Sequence, residues 1–171
     1  DAGGNAVNLP VPRGLRDVDM AHIAQALILP LVADFAPDAI VFLCGADGVE
    51  DDPLAHLSLS SNAHFEVLRG IMALGAPRLL VLGGGGYNPW TVGRLWTGVW
   101  GILNGHTPSE EVTQEAEEVL RALEFAGNSR GRNPPDHWFT PLRDRPQEAA
   151  EISSVVRQRV RLLAQRSGLG R

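Results

Sequence analysis

The chain has 171 residues, of which 44% are hydrophobic and 20% charged, the size and composition of one ordinary globular domain. All 15 basic residues are arginine, which excludes phosphate-loop chemistry and every lysine Schiff-base mechanism. Residues 1–140 hold 8 Arg against 17 Asp and Glu, a net −9, and residues 141–171 hold 7 against 3, a net +4; an acidic body with a basic tail is not the footprint of a nucleic-acid binder.

Residues 7–12, Val-Asn-Leu-Pro-Val-Pro, read as extended, a weak strand whose prolines suit only an edge or a loop. Helical spacing then links Met20, Ile23, Ala24, Leu27, Ile28, Leu31, Val32 and Phe35, with Asp17 or Asp19 as the N-cap and Pro30 expected to kink or split the helix. The apolar runs fall short of the ~20 residues a membrane span needs, and no leader-like segment opens the chain. The expectation is a soluble, cytoplasmic chain with no membrane partner.

Residues 39–44, Ala-Ile-Val-Phe-Leu-Cys, are continuously apolar, the mark of a strand buried on both faces in a parallel sheet. Cys44 is the only cysteine, so internal disulfides and Cys-rich zinc motifs are excluded and a reducing compartment fits. It reads as a small buried hydrophobe, because a strand interior does not stabilise a thiolate. After a polar loop from Gly45 to Asp52, Ser60 or Ser61 caps a helix carrying Phe65, Leu68, Ile71 and Met72. A second buried strand, Leu79–Leu82, opens into four glycines. Residues 90–103 read as a helix that brings Trp90, Trp96 and Trp100 into packing. An acidic helix is expected over 109–125 from Ser109, a loop over 127–146, and a last helix over 147–166 burying Ile152, Val155, Val156, Val160 and Leu163. The acidic and basic helices could pair with each other or with another chain. Two strands apolar on both faces need more sheet and more helices than this chain offers, so the pattern reads as part of a larger α/β sheet.

In open α/β sheets ligands bind beyond the carboxyl ends of the strands. If the two strands are adjacent and parallel, the loops Cys44–Leu54 and Gly83–Trp90 share one rim. Asp47 there suits a metal ligand or, more simply, a solvated or capping acid. Glu50, Asp51 and Asp52 read as loop charges. Four successive glycines carry a large entropic cost, which points to close approach of backbone to a ligand or a neighbouring chain. Tyr87, the only tyrosine, could donate a hydrogen bond to an oxyanion or pack on the rim. Competing motifs fail: a G-x-G-x-x-G needs glycine where Asn88 and Pro89 stand, and H-E-x-x-H does not occur. Of the scattered histidines, His22 and His64 read as surface or rim residues on helices. His56, near the Asp47 loop, is the better ligand candidate.

Pro37-Asp38-Ala39-Ile40-Val41 leading into Gly45-Ala46-Asp47, then Asp52-Pro53-Leu54-Ala55-His56-Leu57, then Leu82-Gly83-Gly84-Gly85-Gly86-Tyr87-Asn88 and Arg94-Leu95-Trp96, resemble the C-terminal half of a zinc-dependent deacetylase of the histone deacetylase superfamily. The resemblance runs through residues 4–105 and is nearest the bacterial acetoin-utilisation type; Asp51 stands where many eukaryotic members have glycine. It implies an α/β/α three-layer sandwich around a mostly parallel sheet, as in arginases, with residues 1–171 as the C-terminal portion of a single deacetylase domain. It further implies Zn2+ in the complete protein with Asp47 as one ligand, Tyr87 as the catalytic phenol, and Leu54, Gly85 and Gly86 along the channel for the substrate. That substrate would be an acetyl-lysine protein or a small acetylated amine. The family's Asp-x-His ligands and His-His pair do not occur in this chain, so its partner is the N-terminal half of the catalytic domain. The alternative is a non-catalytic binding module of the same fold without a complete metal site; an arginase-like hydrolase is disfavoured because such sites are rich in Asp and His.

Overall fold

The two apolar runs form the expected strands, β1 (Ile40–Cys44) and β2 (Leu79–Gly83), in a computed structural model that describes residues 5–125 and 133–169. They pair in parallel with Ile40 opposite Leu79 and Cys44 opposite Gly83, so both chains leave the sheet at the same end. The helices are α1 (Asp17–Ile23), α2 (Leu29–Phe35), α3 (Ser61–Ala73), α4 (Pro89–Leu103), α5 (Gln114–Ala122) and α6 (Ser154–Arg166). Helix α3 connects the strands, and Ser60 caps it by accepting from the Asn62 amide, which settles the choice between the two serines.

The expectation of strands buried on both faces is not met. Phe42, Cys44 and Val81 pack with Phe65 and Leu68 of α3 and Leu95 and Val99 of α4. Ile40 and Leu79 pack with Val67 and Ile71 of α3 and with Leu29 and Val32 of α2. The opposite face is open: Val41 is 64% and Leu43 65% exposed, and Leu80 and Leu82 are exposed beside them. Among the described residues helices cover one side of the sheet only, which is why an apolar run alternates in burial.

The first helix is interrupted as Pro30 requires, but the adjustment precedes the proline: a π-helical turn, Ala24–Ile28, separates α1 from α2. Pro30 then follows directly on that turn as the second residue of α2, and the π turn is where the helix adjusts to its missing N–H. Together these elements make a 19-residue helical run, Asp17–Phe35, of mean hydropathy 1.4, long and apolar enough to cross a membrane. That corrects the length expectation. Its apolar side is used within the fold, where Ile23 and Leu27 pack on Ala63 of α3 and on Val156 and Val160 of α6. Arg16, not Asp17 or Asp19, is the N-cap position. Both acids reach distant backbone, Asp17 accepting from the Ser60 amide at 2.7 Å and Asp19 from the Ser153 amide at 2.7 Å, while Asp19 also accepts from the Arg16 amide at 3.3 Å in a capping box.

Residues 7–11 form no strand. The acidic helix begins at Gln114 with Thr113 as its cap, rather than at Ser109. The last helix begins at Ser154 rather than 147, because the preceding segment runs extended against the body. Gln147 there donates to the Ser58 carbonyl at 2.6 Å and accepts from the Asp17 amide at 3.1 Å. Val156 and Val160 are buried as expected, whereas Val155 is exposed. Helices α5 and α6 share no ion pair among the described residues; Arg121 of α5 binds Glu117 and Asp136 instead. Part of the expected 127–146 loop lies outside the described residues. Its described part folds as a 3-10 turn, Asp136–Trp138, that buries Trp138 5.2 Å from Trp90. Trp100, expected to pack, is exposed.

Candidate functional site

Beyond β1, Gly45 leads into a 3-10 turn, Ala46–Gly48. Beyond β2 the glycine run passes directly over it. The Gly85 carbonyl accepts from the Ala46 amide at 2.6 Å and from the Asp47 amide at 3.2 Å. The close approach anticipated for the glycines is therefore to the neighbouring loop. A Cβ on Gly84 would stand 3.0 Å from the Gly45 Cα, and one on Gly45 would stand 2.5 Å from Asp47 Oδ1. A Cβ on Gly85 would collide with the Asp47 carboxylate. Gly86 has a φ of +149°, and a Cβ there would press on Ala46 and Val92. The half-buried Asp47 carboxylate is thus seated between two glycines, and its position admits no larger residue on either side.

Tyr87 follows, 48% exposed, and Leu54 is likewise exposed. A third residue joins them. Asp52 is 5% exposed; its Oδ2 accepts from the Tyr87 amide at 2.7 Å and its Oδ1 from the Leu54 amide at 2.9 Å. The reading of Asp52 as a loop charge is corrected. Beside it, the Asp51 carbonyl accepts from Asn88 Nδ2 at 3.2 Å, and Asn88 Oδ1 caps α4 by accepting from the Trp90 amide at 3.1 Å. Asp51 Oδ2 lies 2.9 Å from His137 Nε2. His64 is, of the two alternatives, a rim residue rather than a surface one. Its ring sits between the Ser60 carbonyl, 3.2 Å from Nδ1, and the Gly45 carbonyl, 3.1 Å from Nε2, and so ties α3 to the loop that carries Asp47.

His56 is exposed in a left-handed conformation, φ 54°. Among the described residues no group of three His, Cys, Asp or Glu could hold a metal ion. A catalytic zinc takes about three protein ligands and leaves one position open; Asp47 is a single carboxylate, so the residues present do not make a zinc site by themselves. Cys44 is 3% exposed, and burial pushes its thiol up to about 11, as expected of a packed hydrophobe.

The local signal for Asp52 was available in Asp52-Pro53-Leu54, because an Asp that accepts from the amide two residues on makes an Asx turn. Its bond to Tyr87 spans 35 residues and had no local signal, nor did the Gly45 bond of His64.

Residues 1–103 match the histone deacetylase domain. The chain belongs to the histone deacetylase family. Over 98 residues it is 38% identical to histone deacetylase 9 of Arabidopsis thaliana, covering 57% of this chain and 23% of that protein. Over 104 residues it is 34% identical to histone deacetylase RPD3 of Saccharomyces cerevisiae, covering 60% and 24%. The chain spans about a quarter of the length of the curated relatives it matches. An HDAC homologue from Aquifex aeolicus superimposes with a TM-score of 0.80 at 24% identity, over 92% of this chain and 41% of the other. That likeness shows the deacetylase-like α/β fold, with this chain as part of it.

Proposed function

We propose that this chain is the C-terminal portion of a zinc-dependent amidohydrolase domain that removes acetyl groups from acetyl-lysine or from acetylated amines. The observation that carries the reading is the joint between the two strand-end loops. Asp47 is locked against Gly85, two residues before an exposed Tyr87, at the carboxyl ends of adjacent parallel strands, where α/β sheets place their chemistry. Family membership supplies the reaction class.

Asp47 is proposed as one metal ligand, with the remaining ligands contributed by residues outside this chain, and Leu54 with Gly85 and Gly86 as part of the substrate channel. Tyr87 would donate its phenolic hydrogen to the acetyl carbonyl oxygen as that oxygen gains negative charge. A well-placed donor of this kind contributes roughly 3–4 kcal/mol to the transition state. The open sheet face of Val41, Leu43, Leu80 and Leu82 is proposed to be covered by the rest of the domain. Asp51 favours the acetoin-utilisation branch, and a buried reduced Cys44 suits a cytoplasmic setting.

In the full-length, metal-loaded protein, Tyr87→Phe is expected to lower kcat on an acetyl-lysine peptide roughly 100- to 1000-fold with metal content unchanged. Equal turnover by the variant dismisses the phenol's role. The isolated 171 residues are expected to show no turnover; zinc-dependent turnover by them would overturn the shared-domain reading. A metal-loaded full-length protein inactive on acetyl-lysine peptides and acetylated amines alike would instead favour a binding module.

A further inference from the structure

The geometry points to Asp52 as a positioning residue that sets Tyr87 against Leu54. The inference concerns the site proposed above, and its kinetic arm rests on the deacetylase reading. The Asp52 carboxylate is buried, yet among the described residues no arginine or histidine lies within ion-pair distance of it. A buried carboxylate without a counter-ion is costly unless hydrogen bonds satisfy it. Both oxygens are satisfied by backbone: Oδ1 by the amide of Leu54 and Oδ2 by the amide of Tyr87. The 2.7 Å separation to Tyr87 is at the short end of the range for N–H···O hydrogen bonds.

These two amides belong to the two residues that face open space at the rim, Leu54 and Tyr87, both substantially exposed. With their side chains turned to open space, the contacts described for these two residues are those of their backbone amides. One side chain therefore fixes both, and it does so from beneath, without reaching the rim. The neighbouring Asp51 carbonyl repeats the stitch one residue along by accepting from Asn88. Asp52 acts on the reaction through the placement of the Tyr87 phenol, not by touching substrate.

The test uses the full-length, metal-loaded protein and the near-isosteric Asp52→Asn. An amide has one acceptor oxygen, so its NH2 must face one of the two amide donors and that bond is lost. A misplacement of ~1 Å costs on the order of 100-fold in rate, so kcat on an acetyl-lysine peptide should fall roughly 100-fold with metal content unchanged. In a Tyr87→Phe background the same change should cost less than about 3-fold, because there is no phenol left to misplace. Equal losses in both backgrounds would overturn the proposal, since they are what a general folding role produces. A second measurement stands apart from activity and from any variant: hydrogen exchange at the Leu54 and Tyr87 amides of the native protein. Both should be protected despite exposed side chains, and exchange as fast as in open loops would overturn the proposal. Protected amides in a protein that turns over no acetyl-lysine peptide or acetylated amine would sink the deacetylase reading while leaving the Asp52 joint in place.

Discussion

Asp47 owes its position to residues that have no side chain. Gly45 and Gly85 leave the room its carboxylate occupies, and the Gly85 carbonyl holds its backbone. The entropic cost of four glycines is thus offset by a tight loop-on-loop joint, and the sequence-level question of what approaches them is answered within the chain. Cys44 lies at the end of β1, just below that joint. Its thiol is raised from 9.0 to about 11 by burial, so the folded state favours the neutral thiol. The associated stability is fully present below pH 9 and is lost as pH rises through about 11, a term on the order of 2–3 kcal/mol. Urea unfolding across pH 8–11 should show that slope, and Cys44→Ala should flatten it. An unchanged slope in the variant would assign the loss to other groups.

At the scale of elements, helix α4 carries two glycines with opposite environments. A Cβ on Gly98 would run into the Phe65 ring of α3, whereas a Cβ on Gly93 meets nothing within 4 Å. Gly98 is therefore the contact that lets α3 and α4 approach each other over the sheet. Gly93 only weakens its helix. Gly93→Ala should stabilise the protein by about 0.5–1 kcal/mol, and Gly98→Ala should destabilise it by about 1–3 kcal/mol through overpacking. The shift in denaturation midpoint measures both, and the same sign for the pair would refute this account of the packing. Periodicity alone predicted both helices because their apolar spacing is local. It misplaced the starts of α5 and α6 because helix N-termini compete with distant partners. The amide of Ser153 is satisfied by Asp19 and the side chain of Gln147 by Ser58 and Asp17, contacts that span more than 80 residues.

At the scale of the whole molecule, the sheet has, among the described residues, one covered face and one open face. Leu43 is 65% exposed, yet it belongs to a continuous apolar run of the kind found in strands covered on both sides. The remainder of the proposed domain would supply the second cover. In the full-length protein Leu43→Ala should therefore behave as a core substitution and cost about 2–5 kcal/mol in urea unfolding. A cost below about 0.5 kcal/mol, as for an ordinary surface site, would show that this face stays open.

By itself the sequence determined the strands, the helix between them, the loops at their carboxyl ends, and the family those loops resemble. Each of these depends on residues a few positions apart, where spacing and turn chemistry carry the information. Only the tertiary structure decided that β1 and β2 are adjacent, that Gly85 closes on Asp47, that His64 reaches Gly45, and that Asp52 joins Leu54 to Tyr87. A buried carboxylate and a solvated one have the same letter in a sequence; what separates them is which distant amide donors the fold brings within hydrogen-bond reach.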